Sequence, residues 1–125
     1  WRIAGREVRW KPFDPAFFVS RKTGHPAVSA LQPFDLAYWY HPGEQRIEPI
    51  FHHVLEGEGL ETIAFTTTPI PAGIRLSRPE RRPVAAELRL GRGCVIFSQV
   101  EALCRFPSEP LAGLYLEGLL GYLTA

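Results

Sequence analysis

Methionine is absent from the 125 residues, and the chain opens on Trp1. That combination points to a segment of a longer polypeptide, whose remaining domains are then its first expected partners. Cysteine is scarce: Cys94 and Cys104 are the two present. Two cysteines make no disulfide framework, and a pair of buried thiols is the expectation. They leave the compartment undetermined, with the cytoplasm slightly favoured. No apolar run approaches the ~20 residues of a membrane span, and the first residues carry neither a basic nor a long apolar leader region. An excess of one charge is missing too. Fourteen Lys and Arg face thirteen Asp and Glu, a formal net charge of +1, so no global field draws nucleic acid or an anionic membrane, and neither is an expected partner.

What is present is patterning. A hydrophobic share of 46% is that of an ordinary globular chain, and the length suits one domain spanning residues 1–125. In Val84-Ala85-Ala86-Glu87-Leu88-Arg89-Leu90 the larger apolar side chains recur at every second position. Glu87 and Arg89 take the other face, which predicts a half-buried strand. Gly91-Arg92-Gly93 supplies a tight turn. Cys94-Val95-Ile96-Phe97 is apolar on both faces and predicts an interior strand. Pro110 to Leu123 carries Glu117 as its only charge and predicts a helix buried on most sides, with Ser108 or Glu109 as cap and Pro110 in the first turn. Gly113, Gly118 and Gly121 each cost about 1 kcal/mol of helix propensity relative to alanine, which close approach to a sheet or a neighbouring helix would explain.

Upstream, Arg2 to Trp10 reads as a charged edge strand, and Phe13, Phe17, Phe18 and Val19 as an aromatic cluster pinning this arm to the core. Val28 to Leu31 predicts a helical turn. Phe34 to Tyr40, Ile50 to Leu55 and Glu61 to Thr67 predict further strands, and Pro69 to Pro83 an exposed connection. The fold class expected is α/β: a mixed sheet of about five strands with a C-terminal hairpin and a buried C-terminal helix.

Few residues offer chemistry. His52 and His53 are adjacent and would point to opposite faces of a strand, so they do not make a metal pair. His25 and His41 each precede a proline in a turn and read as surface histidines. Cys94 is the one candidate nucleophile, but Val95-Ile96-Phe97 continues the strand where a nucleophile elbow would turn into a helix, so a buried thiol is expected. The carboxylates, Glu61 and Glu87 among them, are scattered and read as mostly solvated. Arg75, Arg78, Arg81 and Arg82 read as charges of a soluble loop. No catalytic residue, metal or cofactor is assigned. Tyr38, Trp39 and Tyr40 are the sugar-contact candidates, because aromatic faces stack on sugar rings and a strand would show Trp39 on one side and both tyrosines on the other.

Two passages resemble a known family when taken together. Thr23-Gly24-His25-Pro26-Ala27-Val28 through Leu31-Gln32-Pro33-Phe34-Asp35-Leu36 with Trp39 is similar to a passage late in glycoside hydrolase family 2 type proteins of the β-galactosidase and sugar-binding kind. Leu90-Gly91-Arg92-Gly93-Cys94-Val95-Ile96-Phe97-Ser98-Gln99, then Glu109-Pro110-Leu111 and Leu116 to Leu123, resembles the ending of the same proteins. Both also resemble the tail of class I glutamine amidotransferase-like domains. The resemblance implies a flavodoxin-like, amidotransferase-like fold in truncated form, and a non-catalytic C-terminal accessory domain of an enzyme of carbohydrate metabolism. A carbohydrate-binding module and a degenerate thiol amidotransferase-like domain are the alternatives; carbohydrate and a second copy of the chain are further expected partners. The family's glycosidase carboxylates lie in a separate barrel domain, so no catalytic position carries over.

Overall fold

The computed structural model describes residues 1–14, 18–68 and 80–125. Its strands are β1 (Arg2–Ile3), β2 (Arg6–Pro12), β3 (Ser20–Arg21), β4 (Trp39–His41), β5 (Arg46–Glu48), β6 (His53–Gly57), β7 (Leu60–Thr67), β8 (Arg81–Leu90) and β9 (Gly93–Ser98). A 3-10 turn covers Pro26–Val28, and the helices are α1 (Ala102–Arg105) and α2 (Pro110–Thr124). The strands form a four-stranded sheet in the order β3-β7-β8-β9, a three-stranded sheet β1-β2-β6 and the ribbon β4-β5. Every pairing among the described residues is antiparallel.

This overturns the α/β, flavodoxin-like expectation. Parallel strands need crossover connections of a dozen or more residues, usually helical. Here, among the described residues, the one long helix follows the last strand, so no helix returns the chain to a parallel neighbour. The sheet is not one mixed layer of five strands but three small antiparallel pieces.

The layers follow from β8. It pairs with β7 on one side and β9 on the other, and its run Val84 to Leu88 is fully buried. Val84 and Ala85 join Ile63 and Ala64 of β7, Ala112, Tyr115 and Leu119 of α2, and Ala27 and Val28 of the 3-10 turn in the larger apolar cluster. Ala86 and Leu88 join Val8 of β2, Leu55 of β6 and Phe97 of β9 in a second cluster. The four-stranded sheet thus carries α2 and the 3-10 turn on one face and the smaller sheet on the other. Gly91, at φ +58°, begins the β8–β9 turn with a conformation few other residues accept.

Several local expectations need correction. The interior strands of the four-stranded sheet are β7 and β8, whereas β9 is an edge and Cys94, Val95 and Ile96 are only half-buried. A run apolar on both faces reports two covered faces; it cannot report whether both edges are paired. Helix α2 buries Ala112, Tyr115 and Leu119, while Leu120 and Leu123 face solvent, so it is not enclosed on most sides. Residues 34–37 form a turn held by the Gln32 amide donating to Asp35 Oδ2 at 2.7 Å, and the strand expected from Phe34 starts only at Trp39. Strand β8 begins at Arg81, inside the expected Pro69 to Pro83 loop; Arg75 and Arg78 of that loop, like Phe17, lie outside the described residues. Arg81 lies 4.5 Å over the Phe65 ring and Arg82 pairs with Glu80 at 2.7 Å, so these two arginines are engaged singly. The expected cap does form: the Glu109 carboxylate accepts the Leu111 N–H at 3.1 Å. No helix is long and apolar enough to cross a membrane among the described residues.

Candidate functional site

The three aromatic residues read as sugar contacts separate. Trp39 is 1% exposed, sits in the larger apolar cluster, and donates its indole N–H to the Asp35 carbonyl at 2.8 Å. Tyr38 and Tyr40 do turn to solvent. Tyr38 meets Phe18 edge-on at 4.9 Å, and Tyr40 stands across the ribbon from exposed Ile47. The indole faces are therefore taken up by protein, and only the two tyrosine rings remain at the surface. The exposed tryptophans are Trp1 and Trp10, with ring centres 6.2 Å apart.

The other candidates also move. Cys94 is half-buried and not enclosed. It lines a groove of about 510 Å³ with Arg89, Arg92, Gly93, Tyr122 and Pro26, and no histidine is among the lining residues. Cys104 is exposed, so the two thiols are not the buried pair expected. His52 and His53 occupy different surroundings: His52 Nδ1 bonds Glu101 Oε1, and His53 stacks on Trp10 at 6.0 Å.

The largest departure concerns His25 and Glu87, both read as surface groups and both buried, at 5% and 0% exposure. His25 precedes the 3-10 turn and caps it, its Nδ1 accepting the Ala27 N–H at 3.2 Å. Ring nitrogen Nε2 then carries the proton of the neutral imidazole. It points to within 3.8 Å of Glu87 Oε2, beyond hydrogen-bond reach. Neither atom has a hydrogen-bond partner among the described residues. Glu87 Oε1 does have one, accepting from Arg89 Nε at 3.1 Å. Arg89 Nη2 donates in turn to the Tyr122 hydroxyl at 2.6 Å, and the Tyr122 ring meets His25 edge-on at 5.1 Å.

Opposite Glu87 in the β7–β8 register stands Glu61, which is exposed. One ligand-type atom from each of His25, Glu61 and Glu87 falls within 4.8 Å of the others. Burial by itself would push the Glu87 carboxyl up. Its polar neighbours Tyr122 and Glu61, with the charge of Arg89, outweigh that and hold it below the usual carboxylate range. Sequence reasoning had the right face for Glu87, shared with Arg89, but no means of seeing that α2 and the residues before the 3-10 turn lie over it. The available signal was His25-Pro26, a histidine placed to cap a turn.

A second feature is apolar. On α2, Leu120 and Leu123 border the face that buries Ala112, Tyr115 and Leu119 and are themselves exposed, while Leu116 is half-buried against the larger cluster. Leu120 is 61% and Leu123 45% exposed. Phe106, 55% exposed, approaches the same helix at Gly113, where an added Cβ would lie 3.4 Å from its ring. Leu103 on α1 is 80% exposed.

No family profile, no curated protein and no solved structure matches the chain.

Proposed function

We propose that the chain is a non-catalytic accessory domain of a family 2 type glycoside hydrolase, docking on the rest of that enzyme through the apolar surface of α1 and α2. One observation carries the reading: a helix apolar on most sides leaves Leu120 and Leu123 exposed, together with exposed Phe106 and Leu103. Exposed apolar side chains grouped in this way mark a contact with protein, and α2 bears a single charge, Glu117. The enzyme class follows from the two resembling passages. The groove at Cys94 supports no nucleophile–base pair, since no histidine lines it.

Two measurements test the reading. Incubated with chromogenic α- and β-glycosides, the chain is expected to give no turnover; hydrolysis that disappears with a single side-chain substitution rejects the accessory role. With its apolar surface free, the chain is expected to self-associate as concentration rises in sedimentation velocity. The L120E/L123E double variant should stay monomeric with an unchanged circular dichroism spectrum. A wild-type chain indistinguishable from that variant removes the docking surface.

A further inference from the structure

Buried polar atoms without partners are rare, and each calls for a ligand, a water or an ion. Two of them, His25 Nε2 and Glu87 Oε2, face each other at 3.8 Å on side chains 3% and 0% exposed. We propose that His25, Glu61 and Glu87 bind a first-row divalent transition ion.

Ligand bonds of ~2.0–2.2 Å let two donor atoms on one ion stand at most ~4.4 Å apart, so the 3.8 Å gap fits an ion between them. Glu61 completes the set from directly across the β7–β8 pair. Like charges opposite each other on a sheet repel, and a divalent cation converts that repulsion into shared attraction. Being exposed, Glu61 can adjust its rotamer to close the 4.8 Å cluster, and it marks the side from which an ion enters.

The surroundings act as an outer shell. Arg89 holds Glu87 by Oε1 and leaves Oε2 free, and the Tyr122 ring edge fixes the plane of His25. One imidazole nitrogen with two carboxylates suits zinc, manganese or iron(II) better than magnesium or calcium, which favour oxygen alone. Binding has a proton consequence. The ring proton must leave Nε2 and reappear on Nδ1, so the bond from Ala27 N is given up; one capping bond is a small loss beside three ligand bonds. Ring charge is unchanged by this exchange.

Zinc added to chelator-stripped protein is the test, followed by calorimetry, thermal melting and ¹⁵N spectra of the histidine rings. One equivalent should bind, raise Tm with zinc concentration, and move His25 from the Nε2–H to the Nδ1–H form while the Ala27 amide shifts. E61Q, at an exposed position, should fold normally and bind at least 10-fold more weakly; H52N should bind as wild type. No zinc binding, or binding that E61Q leaves intact, overturns the proposal. A melt of E61Q without zinc that matches wild type separates loss of a ligand from loss of the fold. The accessory reading does not depend on the result, since its docking surface uses none of the three proposed ligands.

Discussion

Trp39 packs at 1% exposure with its N–H bonded to the Asp35 carbonyl at 2.8 Å, so replacing it opens a large cavity and removes the partner of a half-buried acceptor. W39A is expected to cost about 3–5 kcal/mol, read as a lower urea midpoint with an unchanged slope. Tyr115 gives a pH signature. Burial pushes its hydroxyl up to about 12, against the bond to Ser98 that favours ionisation. The folded value lies above that of the unfolded chain, so the contribution is fully present below about pH 10 and is lost as pH rises toward 12. Two units correspond to about 3 kcal/mol. Urea unfolding between pH 9 and 12 should show this added loss in wild type and not in Y115F. Both residues were legible as aromatic and apolar. That Trp39 points inward while Tyr38 and Tyr40 point out was legible only as alternation, because side-chain type does not say which face of a strand another element will cover.

At the scale of the element, α2 offers a paired test. An added Cβ at Gly118 would lie 2.2 Å from the Ala27 carbonyl oxygen, whereas at Gly121 it would meet nothing within 4 Å. G118A must separate the helix from the 3-10 turn and is expected to destabilise by about 1–3 kcal/mol, despite alanine's better propensity. G121A should stabilise by about 0.5–1 kcal/mol. Equal effects in thermal melts would show that close packing at Gly118 is not what holds the helix down. The start of α2 was readable from Glu109-Pro110, and the β8–β9 turn from Gly91, because caps and turns are decided by neighbouring residues. How much of α2 is covered was not: leucines at every helical position look alike until the sheet claims three of the faces' residues, Ala112, Tyr115 and Leu119, and leaves Leu120 out.

For the whole molecule, the two uncommitted features use different residues and predict different behaviour. The polar cluster of His25, Glu61 and Glu87 ties β7, β8 and the approach to the 3-10 turn, so an ion there would act on stability. The α1–α2 surface acts on association: E117K, which reverses the one charge on α2, should leave the unfolding free energy within about 0.5 kcal/mol of wild type, as exposed substitutions do. Any change in sedimentation would then report contacts made by that surface. The α/β expectation failed at this scale. Strand-rich patterning with a terminal helix fits a parallel sheet or an antiparallel one, and the order of strands in space is not written in any single segment.

The sequence by itself determined the turn at Gly91, the cap at Glu109, the strand periodicity through Glu87 and the absence of a membrane-length apolar run, since each rests on residues close together in the chain. Only the tertiary structure decided that every pairing among the described residues is antiparallel, that Trp39 is core, and that Glu87 and His25 are buried side by side. Burial is a property of two surfaces meeting, and the second surface comes from distant positions whose arrival no local pattern records.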